Sequence, residues 1–366
     1  MKFSKKIFIG KRAISIKHPS YFIADIAANH DGDLKRAKDL IWMAKEAGAD
    51  AAKFQHFLAK KIVSDYGFKK LGKIAHQRKW KSSVFEIYDR YSLNREWNHE
   101  LIKTAKKAKI DFFTTPYDYD AVNEIDKYVK VYKIGSGDIT WIDFIKFIAK
   151  KKKPIFFASG ASEISDITRA IKVLLKINNK LCLMQCNTNY TDSINNYKYI
   201  NLNVLNLFKK KFPNIILGLS DHTQGHTTVL GAITLGARVI EKHFTDKNDK
   251  KGPDHLFSMN PKSWKEMILK SRELEYALGD GKKKVEKNEI DSFICQRRCV
   301  RLSENIKKGE RISISKIDFL RPAPRGSIPP YEYKKLIGLK FKKEKKKGMA
   351  IYQKDLISNS KKISKY

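Results

Sequence analysis

Eight continuous apolar runs constrain this chain more than any other feature of it. They cover residues 21–28, 51–55, 111–115, 131–137, 154–160, 181–186, 215–219 and 238–242, and helix-like patterns separate most of them. None alternates apolar with polar residues. An unalternating run is the pattern of a strand buried on both faces, as in a parallel sheet covered by helices. Eight such repeats in about 250 residues predict a (β/α)8 barrel, the TIM-barrel architecture. The first repeat is the clearest. Asp33 can cap a helix whose apolar face is Leu34, Ala37, Leu40, Ile41 and Ala44, and Gly48 can end it. Residues 60–94 are less regular and are expected to form an insertion above the barrel.

Polar residues collect where the runs end: Asp25, Asn29, Lys53, Gln55, Thr115, Lys133, Ser136, Ser159, Asn187, Ser220, His222 and His243. In such barrels the carboxyl ends of the strands carry the chemistry. Residues 218–254 are the densest stretch. Two runs each deliver a histidine, His222 and His243, next to an acid, Asp221 and Glu241. A single histidine there reads as a hydrogen-bonded core residue, whereas two at adjacent strand ends beside acids read as a metal or ligand site. Lys53 and Lys133 lie inside apolar runs, where an ammonium is costly unless it meets an anion. Both are therefore expected to contact an anionic ligand.

The net charge of +36 permits a nucleic-acid partner. The lysines, however, are spread along the whole chain, with neither a stacking signature nor a DNA-reading motif, so none is expected. A positive field would instead gather an anionic substrate. No stretch approaches the roughly 20 apolar residues of a membrane span. The uncharged run at 7–10 is too short for a signal-peptide core, which predicts a cytoplasmic protein with no membrane partner. Cys182, Cys186, Cys295 and Cys299 are too few for a disulfide scaffold and lack zinc-ribbon spacing, so they are expected to be reduced.

Three parts are expected: a barrel over 1–281, a charged linker over 282–296, and a small β-rich domain over 297–366. The last has an internal echo, in which a basic turn with a glycine (Lys308-Gly309, Lys347-Gly348) precedes a short strand. Its proline-stiffened loop 321–330 carries Arg321 and Arg325. These read either as an exposed basic loop or as arginines offered to a carboxylate or phosphate.

With these residues in view, the chain resembles the sialic acid synthase family, including the legionaminic and pseudaminic acid synthases. The resemblance rests on Ile23-Ala24-Asp25 with Asn29-His30-Asp31-Gly32, Lys53-Phe54-Gln55, Thr115-Pro116, Tyr132-Lys133-Ile134-Gly135-Ser136-Gly137, Gly218-Leu219-Ser220-Asp221-His222-Thr223, Glu241-Lys242-His243-Phe244-Thr245 and Gly252-Pro253-Asp254. It runs from Phe22 to about Leu356, the small domain resembling the family's antifreeze-like (SAF) domain. It implies a carbon–carbon-bond-forming transferase that condenses phosphoenolpyruvate with the open-chain aldehyde of an N-acylated amino sugar, either N-acetylmannosamine or a 2,4-diacetamido-6-deoxyhexose. The product is a nine-carbon 2-keto-3-deoxy acid, with phosphate released. It implies His222 and His243 as ligands of Mn2+ or Mg2+, the ion polarising the aldehyde. Lys53, Thr115, Lys133, Ser136, Ser159 and Ser220 would lie near phosphoenolpyruvate, and Asn187 and Tyr190 near the site. Gln55 and Asp254 would meet sugar hydroxyls, and Arg321 would cross to the other subunit of a homodimer.

Two departures accompany the resemblance. Asp25 and Asp138 stand where the family usually has glutamate, each about 1.5 Å shorter, and one such carboxylate is the implied acid/base. The segment Pro324-Arg325-Gly326 lengthens the usual loop by about one residue, leaving Arg321 or Arg325 as the sugar reader. Two other functions were weighed: a related barrel synthase acting on another aldehyde, and a basic nucleic-acid-binding protein on an inactive barrel. The joint presence of Lys53, Lys133, His222 and His243 argues against the second.

Overall fold

In a computed structural model, residues 2–357 are described, apart from 73, 75, 76 and 79. The chain divides into two units, Met1–Gly279 and Asp280–Tyr366. Residues 358–366 of the expected small domain lie outside the described residues.

The first unit opens with a hairpin of β1 (Ile7–Ile9) and β2 (Arg12–Ile14), an element not expected from the sequence. Gly10 opens its two-residue loop with φ of 58°, the left-handed conformation such loops need. Ile7, Ile9 and Ile14 join the main core. Eight parallel strands follow: β3 (Tyr21–Asp25), β4 (Ala51–His56), β5 (Asp111–Pro116), β6 (Tyr132–Ile134), β7 (Ile155–Ala158), β8 (Leu181–Cys186), β9 (Ile216–Asp221) and β10 (Ala237–His243). They pair in chain order and β10 closes onto β3, giving the TIM barrel. Almost every strand residue is buried, because side chains on one face fill the barrel and those on the other meet helices. Inside, Tyr21, Phe113 and Phe156 stack edge to face.

The helix Leu34–Glu46 forms as its pattern predicts. Asp33 accepts from the Arg36 N–H, and Ala37, Leu40, Ile41 and Ala44 are buried. The insertion contributes short helices Ala59–Ile62, Asp65–Leu71 and Val84–Arg90, the last with a Ser83/Glu86 capping box. Several strand limits move, and two of them bear on the site. The run at 131–137 keeps only three strand residues, because Ser136–Asp138 turn into a 3-10 helix. The last barrel strand extends to His243 itself.

The second unit holds the helix Ile290–Gln296 and two antiparallel pairs, β11 (Cys299–Leu302) with β12 (Ile317–Leu320) and β13 (Lys340–Phe341) with β14 (Leu356–Ile357). Its own core gathers Val300, Leu302, Ile306, Phe341, Ile351 and others. The internal echo is structural: Gly309 and Gly348 adopt φ of 81° and 82° in equivalent basic turns.

Two buried histidines give the barrel a pH signature. His56 is held between Thr114 and Asn98, and His30 packs on Trp97. Burial lowers each pKa to about 4. The native state therefore keeps them neutral at pH values where the unfolded chain, with an ordinary pKa near 6.5, takes up protons. Their contribution is complete above pH 6.5 and is lost as pH falls toward 4, by at most about 1.4 kcal/mol per pH unit for each. Urea titrations at pH 7, 5.5 and 4.5 are expected to show falling stability, with a shallower fall in His56→Gln.

Candidate active site

At the carboxyl ends of β3, β4, β6 and β10, four charged side chains meet in the dry interior. Lys53 donates to Asp25 at 2.6 Å and lies 3.5 Å from Glu241, while Lys133 donates to Glu241 at 2.9 Å. Each of the four side chains is at most 5% exposed. The anions expected for the two lysines are thus, first of all, the protein's own. Burial alone would lower the Lys53 pKa, but Asp25 and Glu241 raise it; burial alone would raise that of Glu241, but Lys133 and Lys53 lower it. The four make a chain of contacts, from Asp25 to Lys53 to Glu241 to Lys133.

The other expected site residues surround this quartet. Thr115 Oγ1 accepts from Lys53 at 3.1 Å, Gln55 donates to Asp25 at 3.0 Å, and Ser220 donates to Glu241 at 3.3 Å. Ser136 Oγ accepts from the Gly160 N–H, and Ser159 donates to the Met184 carbonyl. His243 Nε2 is 3.8 Å from Asp25 and its Nδ1 is 3.6 Å from Asp254. The two imidazoles lie 5.3 Å apart, with Tyr190 4.3 Å from His222 and Phe257 5.0 Å from His243. Asn187 meets His222 through its backbone carbonyl at 2.7 Å, while its side chain donates to Tyr199 O. Asp221, taken from the sequence as a partner of His222, instead points to the far side of the strand and binds Lys242. Arg321 and Arg325 are exposed in the second unit, with Arg321 bonded to Gln296.

Burial raises two carboxyls well above their usual pKa. Burial raises Asp138 to about 7, and its Oδ2 has no hydrogen-bond partner among the described residues. Burial also raises Asp254 to about 6, although its Oδ2 accepts from the Ala28 N–H. Above the quartet opens a chamber of about 240 Å3, lined among others by Gln55, Tyr88, Tyr117, His243 and Asp254. It shares Trp80, Tyr91 and Tyr190 with an outer cleft of about 610 Å3 bearing Asn189, Thr191, Ser193, Asn195 and Asn196. Aromatic walls with amide and hydroxyl groups suit a neutral polar ligand.

The sequence reading noted Glu241, like Asp221, only as an acid beside a histidine and did not assign it a role. Its signal was available: Glu241 and His243 are two apart on one strand, so both face the same way. The insertion's Trp80 and Tyr88 carried no such signal.

For a divalent cation, the described residues offer two imidazoles and no cluster of three or more His, Cys, Asp or Glu side chains. Buried His243 Nδ1 and Glu241 Oε2 lack hydrogen-bond partners. Burial holds His243 well below its usual pKa, so its ring is neutral and able to donate electrons to a metal. His222, against the burial that would lower its pKa, is held above its usual value by Cys186, so the set fits a cation that displaces a proton from His222, with water and substrate completing the shell.

The NeuB family profile matches residues 40–283, and the SAF domain profile matches 297–357. The chain is 36% identical over 360 residues to an uncharacterised protein of Methanocaldococcus jannaschii, covering 97% of this chain and all of that one. It is 37% identical over 317 residues to the N,N'-diacetyllegionaminic acid synthase of Campylobacter jejuni, covering 85% and 92%. Among solved structures, the N-acetylneuraminic acid synthetase of Leptospira borgpetersenii matches with a TM-score of 0.68 at 26% identity, over 79% of this chain and 95% of that one.

Removing one member of the quartet leaves an uncompensated buried charge, at a cost of about 3–5 kcal/mol. Glu241→Gln is expected to lose that much stability in denaturant titration. Inorganic phosphate, by supplying an anion to the two lysines, should raise its Tm more than that of the unaltered protein.

Proposed function

This chain belongs to the NeuB family, whose named relatives are synthases, and from that membership and its buried charge quartet we propose that it is a phosphoenolpyruvate-dependent nonulosonic acid synthase. The supporting observation is the convergence of two buried lysines and two buried histidines at one barrel mouth, beneath a chamber with aromatic and amide walls. The acceptor would be an N-acylated amino sugar, N-acetylmannosamine or a 2,4-diacetamido-6-deoxyhexose. The identity with a diacetyllegionaminic acid synthase supports the second.

In this reading Lys53 and Lys133 hold the carboxylate and phosphate of phosphoenolpyruvate, with hydroxyls of Thr115, Ser136, Ser159 and Ser220 around them. Asn187 and Tyr190 shape the wall beside His222. C3 of phosphoenolpyruvate forms the new bond to the aldehyde carbon, and the aldehyde oxygen gains a proton. Water adds at C2, and phosphate leaves with its bridging oxygen. Asp25 and Asp138 would move those protons, a role that Asp138's pKa, raised by burial to about 7, supports. Gln55 and Asp254 orient sugar hydroxyls. His222 and His243 hold a Mn2+ or Mg2+ ion, which when bound supplies Lewis-acid polarisation of the aldehyde oxygen. Arg321, exposed in the SAF unit, would serve the site of a partner subunit in a homodimer. Four cysteines without disulfides fit a reducing, cytoplasmic setting.

The direct test is phosphate release from phosphoenolpyruvate with Mn2+, each sugar offered separately. Release is expected with one sugar only, lost in EDTA and restored by Mn2+; release without any sugar, or none with either, would sink the reading. His222→Ala should abolish metal-dependent turnover while the fold persists by circular dichroism. Arg321→Ala should raise KM for the sugar more than for phosphoenolpyruvate. Equal movement of the two constants would turn attention to Arg325.

A further inference from the structure

The geometry points to Asp221 and Lys242 as positioning residues that fix the spacing of His222 and His243 for a divalent cation. This rests on the metal reading above. Side chains alternate along β9 and β10, so Ser220, Glu241 and His243 face the barrel mouth while Asp221 and Lys242 face outward, and His222, just past the end of β9, lies beside His243. Those two stand directly opposite each other in the strand register. Both are 1% exposed, sealed beneath the helix Thr227–Thr234. Lys242 Nζ donates to Asp221 Oδ2 and to the Thr223 carbonyl. Asp221 also accepts from the Thr223 N–H at 3.2 Å, Thr223 Oγ1 at 2.8 Å and Thr228 Oγ1 at 2.7 Å.

The placement along the chain gives these bonds their consequence. Asp221 precedes His222 and Thr223 follows it, and both are tied to Lys242, which precedes His243. The residue before His222, through its carboxylate, and the residue after it, through its backbone carbonyl, are thus both bonded to the residue next to His243. An apolar pair would hold the strands together but would tolerate small slips; directional bonds to a buried charge do not, since a slip leaves a charge unsatisfied. No third His, Cys, Asp or Glu among the described residues completes a metal cluster. The protein's share of the affinity for a cation then rests chiefly on the separation of the two imidazoles, which the outer face of the barrel sets.

The test is Mn2+ titration of the full-length protein, followed by electron paramagnetic resonance. The double variant Asp221→Asn/Lys242→Met removes both charges together, so that neither remains buried and unpaired. It is expected to bind Mn2+ about tenfold to a hundredfold more weakly, the range typical of lost outer-sphere support. Its spectrum at saturation should also change, which a loss of stability alone would not produce. A folded double variant with the affinity and spectrum of the unaltered protein overturns the inference. If the double variant does not fold, Thr228→Val decides: weaker Mn2+ binding supports the inference, and unchanged binding overturns it. His222→Ala separates the two readings. Mn2+ binding that survives His222→Ala removes the metal site and this inference with it. Binding lost in His222→Ala but intact in the Asp221/Lys242 variant removes this inference alone.

Discussion

Two lysines and two carboxylates share the dry interior of the barrel mouth, and the site depends on their mutual neutralisation. Each ion brought alone out of water would cost several kcal/mol. Together, with Lys53 between Asp25 and Glu241 and Lys133 on Glu241, two basic and two acidic side chains partner one another. In the proposed function, a phosphate or carboxylate entering the chamber would compete with Asp25 and Glu241 for two ammoniums already held in place.

The barrel makes this arrangement possible through register. Parallel strands paired in chain order align the ends of β3, β4, β6 and β10 at one rim, although Asp25 and Glu241 are more than two hundred residues apart in the chain. Alternation then divides each strand end between two tasks. Inward residues make the site; outward residues, Asp221 and Lys242 above all, lock strand against helix. The loops add a third layer. Arg36 bridges Asp31 and Asp246, and His255 joins Asp31 to Thr245, so the loop carrying Asp254 is tied to the turn after β3.

The fold was legible because its signal is local and repeated. Unbroken apolar runs and a capped, stopped helix such as Leu34–Glu46 follow from residue types alone. The site was legible in its residue types but less so in its pairings. Lys53 and Lys133 were recognisable as ions in apolar runs, yet their partner Glu241 lies more than one hundred residues from either. Asp221 illustrates the opposite error. Adjacency to His222 in sequence suggested a shared role at the ligand, but neighbours on a strand face opposite ways. The N-terminal hairpin went unread, since three-residue strands carry too little pattern to register.

The sequence by itself determined the barrel, the small second unit and the inventory of chemical groups at the strand ends, because apolar periodicity and side-chain identity are properties of the chain. Tertiary structure decided which charge neutralises which, which histidine nitrogen is left without a partner, and which carboxyls burial raises toward neutral pH. Those are matters of a few ångströms and of excluded water. They arise only when strands distant in the chain are brought side by side, where charges lie closer to each other than to solvent.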